Sequence, residues 1–287
     1  MLASGILGYS TETLERIVEG GAGAVVTKSV GLKARKGYAN PTIVQTSCGL
    51  INAMGLPNPG INEFVKEIHE AKTSLNVPLI VSVYGFAAQE YAAVTKKAAD
   101  AGADAVELNV SCPHVKETGS EIGQNPKILA EVVRKVKAVV ERPIFVKLSP
   151  NVTDIVEIAE AAVKAGADAL TAINTVKAMA IDTETAMPIL NNKIGGLSGP
   201  AIKPIAVRCI YEIHEQVKVP IVGCGGVTNW RDAVEFLLAG ASAVQIGTAI
   251  AIKGPSIFKA VARGIDAYLQ RKGFRSVEEI VGLSHRS

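Results

Sequence analysis

The chain has 287 residues, a formal net charge of +3, 48% hydrophobic residues and only 5% aromatic residues. A net charge this small, without a run of basic residues, argues against nucleic acid as a partner. The apolar runs are no longer than strands, and no charged segment precedes an apolar one at the start, so we expect neither a membrane span nor a signal peptide. Four scattered cysteines without a CxxC pair indicate reduced thiols in a cytoplasmic protein and no metal site: Cys48, Cys112, Cys209 and Cys224.

Strands and helices alternate along the chain from its first residues. Apolar runs predict strands at 1–3, 24–27, 78–83, 104–109, 143–148, 168–173, 220–224 and 243–246. Amphipathic patterns and caps predict helices at 11–19, 61–74, 89–101, 126–140, 153–165, 200–216, 229–239 and about 255–272. Two long loops remain, at about 30–60 and 174–199. The first is rich in apolar residues, which favours a functional loop over a disordered one.

One short phrase repeats where helices end. It reads Ala-Gly-Ala-Asp-Ala at 101–105 and 165–169, and Ala-Gly-Ala-Ser-Ala at 239–243. Glycine ends each helix, and the small residues let the next strand pack closely. Eight strands, each followed by a helix, predict a single-domain (β/α)8 TIM barrel over residues 1–287. A doubly wound open sheet is the weaker alternative, because no GxGxxG motif follows the first strand.

Polar residues and glycines collect where the predicted strands end, which is where barrel enzymes carry their active sites. The set is Ser4, Lys28, Ser29, Ser82, Asn109, Lys147, Asn174, Thr175, Gly225, Gly226, Gly247 and Thr248. A single lysine would usually reach the surface, but two lysines together with amide side chains indicate an anionic ligand. The glycine-rich loops at 223–227 and 247–249, with Gly199 from the preceding loop, are typical of phosphate binding through backbone N–H groups. Whether the phosphorylated ligand is substrate or cofactor stays open.

Cys112 is the best candidate for a general base or a nucleophile. It follows the strand that ends at Asn109. A small buried apolar role is the common alternative for a free cysteine. Two of the four histidines fall in predicted helices and one in the tail, so that only His114 is near the proposed site. Catalysis by Cys112 requires its thiolate.

The chain resembles the class 1 dihydroorotate dehydrogenases, and within them the 1B type. The matching segments appear in family order at 3–5, 27–29, 52–60, 108–113, 146–151, 173–175, 195–200, 225–226 and 247–248. They cover nearly the whole chain, and the combination is specific although each segment alone is not. Cysteine at position 112 is the mark of the 1A and 1B types, since the related membrane-bound class 2 enzymes carry serine there.

The resemblance implies an FMN-binding barrel that oxidises dihydroorotate to orotate in pyrimidine (UMP) biosynthesis. Cys112 would take a proton from C5 of dihydroorotate, and hydride would pass from C6 to N5 of the flavin. The substrate would be held by Lys28, Asn52, Ala53, Met54, Gly55, Leu56, Asn109, Asn174 and Thr175. FMN would be held by Ser4, Lys28, Ser29, Ser82, Asn109, Lys147, Ile173 and Gly199, and at its phosphate by Gly225, Gly226, Gly247 and Thr248.

The type 1B enzymes pass electrons to NAD through a second subunit that carries FAD and an iron–sulfur cluster. We therefore expect a homodimer that recruits such a subunit into a heterotetramer. Three features depart from the family: Ser82 stands where asparagine is usual, His114 replaces asparagine after Cys-Pro, and the sequence begins inside the first strand, where members usually have a β-hairpin. The barrel floor is therefore expected to be exposed, unless the start lies upstream.

Two other functions compete with this interpretation. The first is a neighbouring flavin barrel that acts on uracil-type dihydropyrimidines, and activity on dihydroorotate but not on dihydrouracil would separate it. The second is a non-enzymatic flavin-binding or assembly subunit, which would bind FMN and show either no rate or a rate that survives Cys112→Ala.

Overall fold

The computed structural model describes residues 1–111 and 122–286. The strands of this part of the chain are β1 Val25–Val26, β2 Ile43–Thr46, β3 Gly49–Asn52, β4 Leu79–Val83, β5 Ala105–Asn109, β6 Ile144–Leu148, β7 Ala169–Ala172, β8 Val176–Met179, β9 Ile181–Asp182, β10 Met187–Pro188, β11 Ile194–Ser198, β12 Ile221–Cys224 and β13 Ala243–Gln245. Its α-helices are α1 Thr11–Glu19, α2 Ile61–Ser74, α3 Ala88–Asp100, α4 Pro126–Lys137, α5 Ile155–Lys164, α6 Lys203–Gln216, α7 Trp230–Leu238, α8 Ala249–Lys253 and α9 Ile257–Lys272. None of these helices is long and apolar enough to cross a membrane.

A seven-stranded parallel sheet forms the centre of the fold. Its strand order is β1-β4-β5-β6-β7-β12-β13, so the predicted α/β class and the parallel pairing are confirmed. Seven of the eight predicted strands are present, each within two residues of its expected bounds. The first predicted strand, 1–3, is reduced to an isolated parallel bridge between Leu2 and Ile246. The Leu2 N–H also donates to the Ala24 carbonyl at 3.0 Å.

Amphipathic helices cover the outer face of the parallel sheet. In α2 the buried residues Ile61, Phe64, Ile68 and Ala71 recur every three or four positions and form one apolar stripe. Sequence signals also fix where helices begin: Asn125 precedes α4 and accepts hydrogen bonds from the N–H groups two and three residues on. The largest hydrophobic cluster lies between these helices and the sheet.

The aspartates of the repeated segment at helix ends connect neighbouring strands. Gly102 and Gly166 end α3 and α5 with φ of +107° and +106°, a left-handed backbone that favours glycine. Two residues later, Asp104 accepts from the Leu79 N–H at 2.8 Å, and Asp168 accepts from the Ile144 N–H at 2.7 Å. Each carboxylate thus fastens the start of one strand to the start of its neighbour.

The two segments predicted as long loops contain short strands that the sequence did not predict. The segments at 30–60 and 174–199 contribute to one four-stranded antiparallel sheet with the order β2-β3-β11-β8, and β9 and β10 form a small hairpin. Asn52 of β3 lies opposite Gly196 of β11. This second sheet lies over the carboxyl ends of the parallel strands, because residues of both line the same cavity.

Candidate active site

A cavity of about 710 Å³ lies between the carboxyl ends of the parallel strands and the antiparallel sheet. This volume is within the range of small-molecule and cofactor sites. Four cationic side chains line it (Lys28, Arg35, Lys147 and Lys177), whereas no carboxylate of a described residue does. The cavity is therefore electropositive and suited to an anionic ligand.

The parallel sheet and the loops after its strands bring most of the predicted site residues to this one cavity. The predicted residues that line it are Ser4, Lys28, Ser29, Asn52, Ala53, Met54, Gly55, Leu56, Asn109, Lys147, Ile173, Asn174, Thr175, Gly199, Gly225, Gly226, Gly247 and Thr248. Their chain positions run from 4 to 248, so the fold, and not local sequence, makes them neighbours. Their roles toward a ligand remain predictions.

Lys28 is a buried cation that forms no ion pair with any carboxylate of the described residues. It follows β1 and is only 6% exposed. Its Nζ donates to the Gly5 carbonyl at 3.0 Å and lies 5.1 Å from the centroid of the Tyr9 ring. Burial lowers the pKa of Lys28. An anion bound beside it would compensate the charge and restore the pKa.

A chain of polar side chains joins the ends of four parallel strands. Ser29 Oγ lies 2.9 Å from Ser82 Oγ and 3.3 Å from Ser4 Oγ, and it accepts from Asn109 Nδ2 at 3.0 Å. Asn109 Oδ1 in turn accepts from Asn174 Nδ2 at 3.3 Å. Because these contacts fix both amides, their remaining donors and acceptors are held in defined directions. Ser82 is fully buried, and its hydrogen bond to Ser29 holds the Ser29 hydroxyl in place.

The glycine-rich loops meet as the sequence predicts. Gly225 and Gly226 have φ of +127° and +86°, and a Cβ on Gly226 would lie 2.9 Å from the Gly199 carbonyl oxygen. Thr248 Oγ1 donates to Ser198 Oγ at 2.7 Å. Across the described chain, no carbonyl accepts from the N–H groups of Gly225, Gly226 or Thr248. These donors suit the oxygens of a phosphate.

Cys112 and His114 lie outside the described residues. Ser111, the residue before Cys112, lines the cavity, and its N–H donates to Asn109 Oδ1 at 3.3 Å.

Sequence reasoning assigned no role to several residues that line the cavity: Tyr9, Arg35, Tyr38, Phe86, Asn151, Lys177, Cys224 and Gln245. Asn151 carried a usable signal, because it belongs to the matching segment 146–151, which runs from β6 into the loop after it. Its Nδ2 donates to the Thr175 carbonyl at 3.0 Å. Arg35 and Lys177 lie in the two segments taken for loops, where charged residues are ordinarily solvated.

Comparison with known proteins gives the family. Residues 1–269 match the dihydroorotate dehydrogenase family. The chain belongs to the dihydroorotate dehydrogenase family. It is 53% identical over 286 residues to dihydroorotate dehydrogenase B (NAD(+)), catalytic subunit, of Pyrococcus furiosus, covering 100% of this chain and 94% of that protein. Proteins of the same name from Methanothermobacter thermautotrophicus and Methanosarcina acetivorans are 52% and 49% identical, each over 99% of this chain and over 94% and 92% of the relative.

Membership of the dihydroorotate dehydrogenase family makes the chain an oxidoreductase. The resemblance stated from the motifs is thereby confirmed, and the non-enzymatic alternative loses its support. The cavity is consistent with this class of chemistry: it is large enough for a cofactor and a substrate together, and its described lining holds four cationic side chains and no carboxylate.

Proposed function

We propose that this dihydroorotate dehydrogenase oxidises dihydroorotate to orotate with FMN as its cofactor, in pyrimidine biosynthesis. The observation that carries the proposal is the composition of the cavity. Its described lining has four cationic side chains and no carboxylate, and at one end it has a glycine-rich cradle formed by Gly199, Gly225, Gly226 and Thr248. Both ligands are anionic, since dihydroorotate has a carboxylate and FMN has a phosphate. The names of the relatives agree with this substrate.

The residues present fit FMN. The N–H groups of Gly225, Gly226 and Thr248 are available for a phosphate, and Gly199 closes the same cradle. Lys147 at the cavity floor would favour negative charge on a reduced ring, and Ile173 and Gly199 would line the ring. When bound, FMN supplies the hydride acceptor, because no amino-acid side chain can take a hydride reversibly.

The substrate would lie between Lys28 and the fixed amides. Lys28 is the buried cation that matches the carboxylate, and Asn52, Asn109 and Asn174 offer the donors and acceptors that a pyrimidine ring requires. Asn52 is itself held, since its Nδ2 donates to the Gly196 carbonyl at 3.3 Å. Rigid partners of this kind pre-orient the ring for reaction.

Proton removal is assigned to Cys112. Its thiolate would take the proton from C5 of dihydroorotate while hydride leaves from C6, so that the ring loses two protons and two electrons in total. Cys112 directly follows Ser111 in the sequence, and Ser111 lines the cavity, which supports this role. The positive charges around the cavity would favour a thiolate over a thiol.

The proposal extends to the fold and the assembly. The bridge between Leu2 and Ile246, together with the hydrogen bond from Leu2 to Ala24, supports closure of the parallel sheet into an eight-stranded, single-domain barrel. Exposed Met179, Ile181, Met187 and Ile194 on the antiparallel strands support a homodimer. A partner subunit would carry the electrons on to NAD, consistent with the words "catalytic subunit" in the names of the relatives.

Substrate discrimination tests the proposal. Purified protein with added FMN is assayed under anaerobic conditions with an artificial electron acceptor, using dihydroorotate and dihydrouracil in parallel. We expect turnover of dihydroorotate and at least a hundredfold lower kcat/KM for dihydrouracil, which lacks the carboxylate that Lys28 would bind. Equal rates on both compounds would refute the substrate assignment and favour the uracil-type alternative.

A further inference from the structure

A carboxylate is buried inside the parallel sheet, directly beneath the cavity. Glu107 of β5 is 0% exposed. Its Oε2 accepts from Thr171 Oγ1 at 2.9 Å and from Gln245 Nε2 at 2.7 Å. Its Oε1 accepts no hydrogen bond from any described residue and lies 3.7 Å from Lys147 Nζ. Burial of an ionised carboxylate is costly unless a cation compensates it, and Lys147 is that cation.

Gln245 connects the two charges. Its Nε2 donates to Glu107, and its Oε1 accepts from Lys147 Nζ at 3.2 Å. Since these two contacts use opposite ends of one amide, the orientation of the Gln245 side chain is fixed. Lys147 is only 5% exposed, yet it lines the cavity. Of its three N–H donors, one is used by Gln245 and one faces Glu107, which leaves one for a ligand above.

The other ionisable groups around Lys147 do not replace Glu107 as its counter-ion. Burial raises the pKa of the Cys224 thiol, which is therefore neutral at pH 7. The amino group of Met1, whose pKa burial lowers to about 6, donates to the Val244 carbonyl at 2.9 Å and, as an amine, cannot supply a negative charge. For Lys147 itself burial acts to lower the pKa, whereas Cys224 and Glu107 act to raise it, and the pKa ends above its ordinary value. At pH 7, where the thiol is uncharged, the negative charge beside Lys147 is that of Glu107, 3.7 Å away.

We propose that Glu107 is a positioning residue for Lys147: it keeps the ammonium charged inside the sheet and, with Gln245, directs the remaining N–H into the cavity. This inference rests on the proposed function in one respect, that the ligand beside Lys147 is FMN. In this arrangement the pair under the ligand is electrically neutral as a whole, and Lys147 stays protonated over the working pH range. Without Glu107, a buried lysine would titrate near neutral pH, as buried lysines can.

Three variants separate charge from shape. Glu107→Gln keeps the size of the side chain and removes the charge. The swap Glu107→Gln/Gln245→Glu moves the carboxylate from position 107 to position 245, which also contacts Lys147. Glu107→Gln/Lys147→Met removes both charges and is the matched control. Each protein is studied from pH 6 to pH 10 by thermal unfolding without FMN, by its FMN dissociation constant, and by the reduction potential of the bound flavin.

For Glu107→Gln without FMN we expect a loss of thermal stability that shrinks as the pH rises. The sign follows from linkage: the folded-state pKa of Lys147 drops below its unfolded value of about 10.4, so the unfolded state binds more protons and stability rises with pH. The same variant should bind FMN about tenfold to a hundredfold more weakly above the new pKa than below it, the effect of one charge-assisted hydrogen bond. Its flavin potential should show the same new pH transition.

The swap should restore the pH profile of the wild type, and the doubly uncharged variant should lack the new transition that Glu107→Gln shows. The proposal is overturned if Glu107→Gln shows the same pH dependence as the wild type, or if the swap folds but leaves the transition in place. If Glu107→Gln is insoluble, recovery of soluble protein by Lys147→Met supports an uncompensated charge, and failure to recover it refutes that explanation. A wild type that binds no FMN would refute the proposed function, while the unfolding measurements would still decide the role of Glu107.

Discussion

Gly226 allows the cradle at one end of the cavity to be tested by a single methyl group. Its φ is +86°, and a Cβ there would lie 2.8 Å from Lys203 Cβ and 2.9 Å from the Gly199 carbonyl oxygen. Gly226→Ala therefore has to push apart the two loops that form the cradle. The carbonyl of Gly199 belongs to backbone and cannot swing aside as a long side chain could.

The cost can be worked out from these contacts. A left-handed backbone costs an L-residue about 1–2 kcal/mol, and forcing a methyl group into a packed position costs about 1–3 kcal/mol more. If about 2 kcal/mol of this total is relieved by opening the cradle, the affinity for FMN falls roughly 30-fold, because 1.4 kcal/mol corresponds to a factor of ten. We expect the FMN dissociation constant of Gly226→Ala to rise by that factor or more.

Gly273→Ala is the matched control. Gly273 has φ of +78° at the end of α9, and a Cβ there would meet nothing within 4 Å. It carries the backbone cost without the collision and should bind FMN like the wild type. FMN affinity is measured by quenching of flavin fluorescence, with thermal unfolding of each apoprotein as the reference. An affinity of Gly226→Ala equal to that of Gly273→Ala would show that the loops at 199 and 226 do not hold the phosphate.

Three further predictions follow from single side chains. Cys112→Ser should slow the oxidation of dihydroorotate at neutral pH and move the rise of the pH–rate profile to higher pH, because a hydroxyl loses its proton less readily than a thiol; an unchanged profile would exclude Cys112 as the base. Binding of orotate should weaken as the pH rises through the lowered pKa of Lys28, since the neutral amine no longer attracts the carboxylate, and Lys28→Met should bind orotate weakly at every pH when measured by titration calorimetry. Burial is the main cause that lowers the pKa of His214, whose ring lies 4.9 Å from that of His285. The unfolded state then binds more protons than the folded state, so stability should fall as the pH drops below about 6.5, and His214→Gln should reduce this loss in thermal unfolding between pH 5 and pH 8.

The regular part of the fold could be predicted because its signals are local. The predicted bounds of α1 and α2 agree with the structure at both ends, since the apolar spacing of both helices and the glycine that follows α1 are local signals. The site followed from a topological rule, because parallel strands place their carboxyl ends at one edge. That rule brought Lys28, Asn109 and Asn174 together without any knowledge of contacts.

The antiparallel sheet could not be predicted in this way because its pairing is long-range. Asn52 and Gly196 are partners across the sheet, but 144 positions separate them in the sequence. Glycines such as Gly49 and Gly195 also interrupt these strands, and glycine in a strand normally indicates a turn. The short strands therefore looked like loop segments.

Glu107 was overlooked for a related reason. Within the apolar run Ala105-Val106-Glu107-Leu108, a single glutamate ordinarily marks a solvent-exposed position. Its partners Lys147 and Gln245 lie on β6 and β13, and only the assembled sheet makes them neighbours of the carboxylate. The sequence had no local feature from which this buried pair could be inferred.

The visible spectrum of the FMN-loaded protein, recorded before and after anaerobic addition of dihydroorotate, tests the central claim most directly. We expect a yellow protein whose visible absorbance is lost at once with one equivalent of dihydroorotate, as hydride leaves the substrate. Orotate should be recovered in equal amount. A flavin that stays oxidised after this addition would contradict the assignment of dihydroorotate as substrate, and a protein that takes up no FMN would contradict the assignment of the cavity.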